Sequence, residues 1–289
     1  MLSPWLEIPS FAERMRHFSN AIGLDLIQHG TTSDADAIRD TAVAQPLLVA
    51  TALASVRELV SEATPDLAAG HSVGEFAAAA LAGVLTDDIA LRLVSVRARA
   101  MAEAATQAEP ASMAAVLGGE AADVQKALAA HGLTPANANG GGQVVAAGAK
   151  DAIAALIASP PDKARVIELQ VAGAFHTDDM LPAVDVLADA ASTVRPDDPV
   201  RTLLSNADGA VVESGEDAVK RLVAQVAKPV RWDLCQETMQ EVGVTAIVEA
   251  APGGVLTGLA KRTMKGIPCV ALKTPADLDA ARALMEKHA

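Results

Sequence analysis

Aromatic side chains are scarce in this sequence and tyrosine is absent, since the 289 residues include only four phenylalanines and two tryptophans. The absence of tyrosine excludes a tyrosine general acid, and so few aromatic rings exclude a platform on which nucleic-acid bases stack. Cysteine is scarce too. Cys235 and Cys269 show no metal-ligand spacing and no disulfide framework, which suits a reducing cytoplasm. We therefore expect a core of alanine, valine and leucine, and no metal site.

Basic residues are fewer than acidic ones. The chain has 23 Lys and Arg against 36 Asp and Glu, which gives a formal net charge of −13. This balance argues against nucleic acid or an anionic membrane as a partner, so an anionic ligand would need a local group of Arg or Lys. No apolar run is expected to reach transmembrane length, and Glu7 and Pro9 interrupt the N-terminus too early for a signal peptide. These features predict an acidic, soluble, cytoplasmic protein.

The predicted helices and strands alternate along most of the chain. This pattern favours an α/β fold with a mainly parallel sheet and helices on both faces. Residues 111–171 differ, because their patterns predict the β-α-β-β-α-β order of a ferredoxin-like unit. We interpret 111–171 as an inserted small subdomain, and residues 1–110 and 172–289 as one large catalytic subdomain.

The residue patterns predict a helix over 121–130 and a strand over 201–206. Two further predictions concern the starts of helices. Ser10 and Glu13 have the spacing of a capping box, which predicts a helix that begins after Ser10. A long apolar helix is expected over residues 47–62, directly after Pro46.

The most distinctive stretch is Gly70-His71-Ser72-Val73-Gly74, a Gly-x-Ser-x-Gly motif. It follows a predicted strand and precedes an alanine-rich predicted helix, the context in which this motif holds a nucleophilic serine. Gly70 and Gly74 are expected to leave room where strand and helix crowd together, so that the turn holds Ser72 exposed and strained. The N–H of Val73 would then face an oxyanion. The alternative is a glycine-rich helix start at which Ser72 only caps the first turn.

A serine nucleophile needs a base, and His176 is the best placed of the six histidines. It lies where the inserted segment returns to the larger subdomain, and ligand sites favour such junctions. The residues alone leave His176 balanced between a buried structural histidine and a catalytic base. The side chain of His71 is expected to point away from Ser72. The remaining histidines are expected at the surface or in a terminal tail: His17, His29, His131 and His288. No acidic residue has a clear claim to complete a Ser-His-Asp triad, and the residue order of an α/β-hydrolase fits poorly.

Several further segments lie in order along the chain: Leu81-Ala82-Gly83-Val84-Leu85, Val96-Arg97-Ala98-Arg99-Ala100-Met101, Ala174-Phe175-His176, Leu204-Ser205-Asn206, Pro229-Val230-Arg231-Trp232 and residues 249–259. Together with the serine motif, they resemble the malonyl-CoA:acyl carrier protein transacylases, members of the acyltransferase family of fatty acid and polyketide synthesis. The resemblance covers nearly the whole chain at the spacing of the family. It implies a hydrolase-like α/β core with a ferredoxin-like insertion where residues 111–171 lie.

The resemblance also implies roles for individual residues. Ser72 resembles the nucleophile that takes the malonyl group, and His176 resembles the base that deprotonates it. Arg97, 25 positions after the serine, resembles the arginine that grips the malonyl carboxylate. A planar guanidinium binds a carboxylate through two parallel N–H bonds. Without the resemblance, Arg97 is better interpreted as part of a solvated helix face with Arg92 and Arg99.

Three more positions take their interpretation from the same resemblance. The main-chain carbonyl of Gln225 resembles the group that orients the histidine, which would explain why no triad acid is evident. Val73 and Phe175 resemble the residues of variants that select malonyl over methylmalonyl groups.

The implied reaction moves a malonyl group from malonyl-CoA to the phosphopantetheine thiol of acyl carrier protein, so both are substrates and no cofactor is expected. The alternatives are a serine thioesterase or esterase, or a truncated inactive relative that only binds carrier protein. Acyl carrier proteins are acidic, so docking needs a local basic surface. Lys261, Arg262 and Lys265 are the residues we expect to supply it, although they would also suit a helix C-terminus.

One departure concerns the start of the chain. Members of the family open with a strand and a Gly-Gln-Gly-x-Gln loop, and nothing here matches that loop. We expect Met1 to be an internal methionine of a longer protein, which would add a strand and a loop of roughly ten to fifteen residues.

Overall fold

The computed structural model describes residues 2–59 and 64–288. The α-helices are α1 (Pro9–Ile22), α2 (Leu26–Thr31), α3 (Ala35–Arg39), α4 (Thr41–Leu59), α5 (Gly74–Leu81), α6 (Asp87–Gln107), α7 (Ala121–Ala130), α8 (Lys150–Ala158), α9 (Leu181–Ala191), α10 (Gly215–Ala224), α11 (Trp232–Glu241), α12 (Val255–Thr263) and α13 (Leu278–His288). The strands are β1 (Leu67–Ala68), β2 (Ala111–Gly118), β3 (Thr134–Gly140), β4 (Gln143–Ala149), β5 (Ala164–Leu169), β6 (Thr202–Leu203), β7 (Val230–Arg231), β8 (Ile247–Glu249) and β9 (Cys269–Ala271). The chain therefore has a mixed α/β fold.

Among the described residues, parallel pairing is confined to short ladders, which join β1 to β6, β8 to β9 and β3 to β7. The largest sheet of the described residues has the order β5-β2-β4-β3-β7, and its other neighbours are antiparallel. Outside residues 111–171 the ladders β1–β6 and β8–β9 are parallel, as expected, but in the described residues they are two separate two-stranded ladders and not one sheet. The strand expected over 201–206 is cut to Thr202–Leu203 because the next residues turn back: Leu204 bridges Val211, and the Ser205 N–H donates to the Ala210 carbonyl.

Residues 111–171 contain β2, α7, β3, β4, α8 and β5 in that order. The helix expected at 121–130 has the observed bounds of α7. The two helices pack on the sheet over a core of their own, formed by residues that include Val116, Leu128, Ile153 and Leu156. This segment therefore buries its apolar residues largely within itself.

Helix α4 departs from its prediction at its N-terminal end. It begins at Thr41, so Pro46 lies inside it. Pro46 cannot donate to the carbonyl four residues earlier, and burial of the apolar side chains of Pro46 and Leu47 offsets that lost bond. The helix is described to Leu59, and positions 60–62 of the prediction lie outside the described residues.

By length and composition α4 could cross a membrane, so the expectation that no apolar run is long enough does not hold for it. Core helices of soluble proteins pass the same test. In α4, 56% of the apolar window is buried inside the protein, where the helix packs against α1, α5 and α6.

Both ends of the chain differ from the local patterns. Helix α1 starts at Pro9, so the capping box predicted for Ser10 and Glu13 is wrong, and the Ser10 hydroxyl donates to Glu58 Oε2 at 2.8 Å. The terminal tail expected around His288 is helix α13, which buries Leu278 and Ala281.

The main core joins α1, α4, α5, α6 and α9 around β1, and alanine, leucine, valine and methionine dominate it. This agrees with the composition. Among its largest fully buried neighbours is a charged side chain, Arg97 on α6, which is 1% exposed. A buried guanidinium needs partners, and those partners define the site.

Candidate active site

The serine motif forms the turn between β1 and α5. Ser72 has a φ of 51°, a left-handed conformation that costs energy in a residue other than glycine. Gly70 is required for packing, because a Cβ there would lie 2.0 Å from the carbonyl carbon of Gly74. Gly74 is not, because a Cβ there would meet nothing within 4 Å. The prediction that both glycines relieve crowding therefore holds for Gly70 and is wrong for Gly74.

Asn206, in the segment that follows β6, holds this turn through two hydrogen bonds. Its Oδ1 accepts from the Ser72 N–H at 2.6 Å, and its Nδ2 donates to the Gly70 carbonyl at 2.8 Å. Asn206 is fully buried, so water does not compete for these bonds. The strained conformation of Ser72 is thus held from outside the turn.

Ser72 and His176 form a direct pair. The Ser72 hydroxyl lies 2.7 Å from His176 Nε2. His176 Nδ1 lies 2.9 Å from the Gln225 carbonyl and 3.1 Å from the Lys228 carbonyl. Because a carbonyl only accepts, Nδ1 carries the proton and Nε2 is free to accept from Ser72. The main-chain contact that the resemblance implies for Gln225 is present, and Lys228 adds a second one.

His176 is neutral in this setting. Burial, and next the charge of Arg97, lower the pKa of His176 to about 3. An imidazole that is deprotonated at neutral pH can take the hydroxyl proton of Ser72 as soon as substrate arrives.

The alternative role of Ser72, a simple helix cap, is not what the structure shows. Helix α5 follows Val73 and has no side-chain cap, while the Ser72 hydroxyl faces His176 and Arg97. In the described part of the chain, the Val73 N–H donates to no protein acceptor. This amide lies next to the nucleophile at the start of a helix, where the helix dipole favours negative charge.

Arg97 lies across the site from the histidine. Its Nη1 donates to Gln45 Oε1 at 2.5 Å and its Nη2 to Gln225 Oε1 at 2.9 Å. Nη2 also lies 3.4 Å from the Ser72 hydroxyl. Burial lowers the pKa of Arg97 to about 10, while the charge of Glu75 opposes this shift, so the guanidinium stays cationic at neutral pH.

The interpretation of Arg97 as part of a solvated helix face is therefore wrong, although Arg92 and Arg99 on the same helix are exposed. The guanidinium also lies over the ring of Phe76, 5.9 Å from its centroid. A cation held this deeply, in contact with the hydroxyl of the nucleophile, is suited to an anionic substrate group.

A cavity of about 210 Å³ brings these groups together. Its lining includes Ser72, Val73, Arg97, Phe175, His176 and Gln45. Gln225, also predicted for the site, does not line the cavity. It contacts two residues that do, Arg97 and His176. Among residues 2–59 and 64–288, no group of three or more His, Cys, Asp or Glu side chains is placed to hold a metal ion.

Sequence reasoning missed three supporting side chains: Gln45, Glu75 and Asn206. Gln45 is a single polar residue in a stretch of apolar neighbours, and that isolation was the available signal. Asn206 lies in one of the segments that carry the resemblance, and Glu75 directly follows the serine motif. His71 lies as expected, directed away from Ser72 with its Nε2 2.8 Å from Asn139 Oδ1.

The chain matches known proteins along most of its length. A family model described as an acyl transferase domain matches residues 9–281. The malonyl CoA-acyl carrier protein transacylase of Mycolicibacterium smegmatis is 51% identical over 286 residues, which cover 96% of this chain and 98% of that protein. The crystal structure of MCAT from Mycobacterium tuberculosis matches with a TM-score of 0.93 at 49% identity, covering 97% of this chain and 94% of that one. A solved complex, PlMCAT:AntF, described as a type II PKS acyl-carrier protein with its malonyl-transacylase, matches with a TM-score of 0.90 at 31% identity, covering 98% of this chain and 94% of that one.

Proposed function

Because the chain belongs to the acyl transferase family, we propose that it transfers a malonyl group from malonyl-CoA to the phosphopantetheine thiol of acyl carrier protein, in fatty acid synthesis. The observation that carries the proposal is the placement of Arg97 beside the Ser72–His176 pair. A nucleophile, its base and a buried cation share one cavity, and the cation matches the free carboxylate of a malonyl group.

The first half-reaction loads the serine. His176 Nε2 takes the hydroxyl proton while Ser72 Oγ attacks the thioester carbon, and the Val73 N–H stabilises the oxyanion. The carbon–sulfur bond then breaks. The coenzyme A sulfur leaves with the proton that His176 returns, and a malonyl-serine ester remains.

The second half-reaction unloads it. The thiol of the carrier protein gives its proton to His176 Nε2, and its sulfur attacks the malonyl-serine carbon. When the ester bond breaks, Ser72 Oγ recovers the proton from His176. The cycle is balanced and needs no oxidant, metal or cofactor.

Arg97 holds the malonyl carboxylate through both halves, and Val73 and Phe175 bound the space next to it. The side-chain oxygens of Gln45 and Gln225 accept hydrogen bonds from the guanidinium of Arg97. These bonds keep the guanidinium oriented toward the cavity. We assign selection for malonyl over larger acyl groups to Val73 and Phe175.

The proposal extends to the architecture. We interpret residues 1–110 and 172–289 as the large catalytic subdomain with a hydrolase-like core, and 111–171 as a ferredoxin-like small subdomain. The strand order β5-β2-β4-β3 and the antiparallel pairing support the second interpretation.

We also propose acyl carrier protein as the partner and the cytoplasm as the location. Lys261, Arg262 and Lys265 are exposed at and just beyond the end of α12 and offer a basic surface to an acidic partner. Arg262 also donates to Gln143 Oε1 at 2.8 Å, a contact between α12 and the inserted segment.

The test is covalent labelling. The purified protein, incubated with malonyl-CoA, should gain one malonyl group, which peptide mapping by mass spectrometry places on Ser72. Ser72→Ala should gain none. Addition of a phosphopantetheine-bearing carrier protein should discharge the label onto that thiol. Labelling that survives the substitution contradicts the assignment, and rapid loss of the label to water without carrier protein supports a thioesterase instead.

A further inference from the structure

Glu75 is a buried carboxylate that the proposed mechanism does not use. It lies on α5 three residues after Ser72 and is 5% exposed. Burial raises the pKa of Glu75 to about 7, against the opposing effects of donors from Asn206 and Gln225 and of the charge of Arg97. A buried carboxylate destabilises the fold unless it is hydrogen-bonded or paired with an opposite charge, so Glu75 needs the partners that it contacts beside the nucleophile.

One oxygen of Glu75 fixes the orientation of Gln225. The Gln225 amide NH₂ donates to Glu75 Oε2 and, at 2.9 Å, to the Ser72 carbonyl. Both of its N–H donors are therefore occupied, and its Oε1 must face the other way, toward Arg97 Nη2. A flipped amide would place donors against the guanidinium and an oxygen against the carboxylate.

The other oxygen of Glu75 holds the serine turn. Oε1 accepts from the Asn206 N–H at 2.6 Å, and Asn206 in turn holds Ser72 and Gly70. One carboxylate therefore joins the group that aims the cation to the group that holds the nucleophile.

We propose that Glu75 is a positioning residue for acyl selectivity: its carboxylate orients the Gln225 amide so that Arg97 stays aimed at the carboxylate of the substrate. This inference rests on the proposed function. Only a carboxylate satisfies the geometry, because the side chain at 75 must accept on both oxygens, from Asn206 and from Gln225. A glutamine there offers one acceptor and one NH₂ group.

The test compares Glu75→Gln with the wild type at pH 8, above the pKa of about 7 at which Glu75 titrates. In the variant, the amide oxygen at position 75 must still accept from Asn206, so the amide NH₂ turns toward Gln225 and forces the Gln225 amide to flip. Arg97 then loses an acceptor. The ratio of kcat/KM for malonyl-CoA to that for acetyl-CoA should fall by about tenfold or more, mainly through a higher KM for malonyl-CoA. Arg97→Ala sets the largest loss to be expected.

The matched control is Ser55→Ala. Ser55 is also fully buried, and its hydroxyl accepts from the Ala251 N–H at 3.0 Å, outside the residues that line the cavity. Its loss should lower the melting temperature and leave the malonyl to acetyl ratio unchanged. A folded Glu75→Gln protein whose ratio stays within twofold of the wild type would overturn the inference, as would equal losses for both acyl groups.

A second variant, Gln225→Met, removes only the amide and keeps the main-chain carbonyl that orients His176. It should show the same loss of ratio, and the double variant with Glu75→Gln should be no worse than either single one, because both act through one contact. If Glu75→Gln does not fold, an unchanged ratio in Gln225→Met overturns the inference. Failure of the proposed function is distinguishable, because the wild type would then form no malonyl-serine at all.

Discussion

At the scale of single residues, the site works without the carboxylate of a Ser-His-Asp triad. Two main-chain carbonyls hold Nδ1 of His176, so the tautomer is set by uncharged acceptors. The charge that most affects the pKa of His176 is instead the cation Arg97, which lowers it further than burial alone does. A triad acid would act in the opposite direction, since it favours the protonated imidazole.

This arrangement predicts an unusual pH dependence. The folded-state pKa of His176 is depressed to about 3, so the base stays available well below neutral pH. Formation of acetyl-Ser72 from acetyl-CoA should therefore be nearly constant from pH 8 to pH 5, whereas a base with a pKa of about 6.5 would lose about thirtyfold. Acetyl-CoA is the suitable substrate because its acyl group carries no carboxylate for Arg97. Quenched single-turnover mass spectrometry measures the rate in the wild type and in Glu75→Gln, because the pKa of Glu75 is itself raised to about 7. A decline with a midpoint near pH 6.5 in both proteins would contradict the assignment.

At the scale of elements, the turn between β1 and α5 is held by close backbone packing. The strand has two residues and the helix eight, so neither is long enough to hold a strained serine alone. Gly70 lets the two backbones approach. Asn206, in the segment after β6, and Glu75, on α5, hold the turn through hydrogen bonds. We therefore expect the stability of the turn to depend on the absence of a side chain at position 70.

Gly70→Ala tests that sensitivity, and Gly74→Ala is its matched control in the same motif. A methyl group at 70 would collide with the backbone of Gly74, which cannot move aside without shifting Ser72. We expect destabilisation of about 1–3 kcal/mol, or a melting temperature lower by roughly 3–10 °C. Labelling of Ser72 should fall with it. Gly74→Ala meets open space, so its melting temperature should equal or exceed that of the wild type. Equal effects of the two changes would show that crowding at Gly70 is not what holds the turn.

At the scale of the whole molecule, the site lies directly after residues 111–169, which form β2 to β5 with α7 and α8 between them. Residues 170–176 follow β5 directly and contribute Phe175 and His176 to the cavity. Helix α4, the turn before α5 and helix α6 contribute Gln45, Ser72 and Arg97. The net charge of −13 makes encounter with an acidic carrier protein unfavourable unless a basic surface guides it.

Reversal of Lys261, Arg262 and Lys265 to Glu tests that surface. The apparent KM for carrier protein should rise at least several-fold and its salt dependence should weaken, while the KM for malonyl-CoA stays unchanged. The control reverses three exposed cations on other helices, Arg16, Lys126 and Lys287, and so changes the net charge equally. If both triple variants bind carrier protein as the wild type does, the basic residues of α12 serve only their helix terminus.

The sequence by itself determined the features that contiguous residues encode. The glycine–serine turn, the bounds of α7 and the element order of residues 111–171 follow from local propensity, turn residues and apolar spacing. The resemblance to one family then pointed to His176, Arg97 and Gln225, which local patterns left undecided.

The tertiary structure alone decided which polar groups meet. Gln45 reaches Arg97 across 52 positions, Asn206 reaches Ser72 across 134, and Gln225 reaches Glu75 across 150. Each of these contacts depends on how separate elements pack, so no local sequence pattern predicts it. The same reason explains the shortened β6 and the proline inside α4, where packing and turn contacts overrode local preference. Burial also changed the chemistry, because only the packed interior makes His176 a neutral base beside a cation.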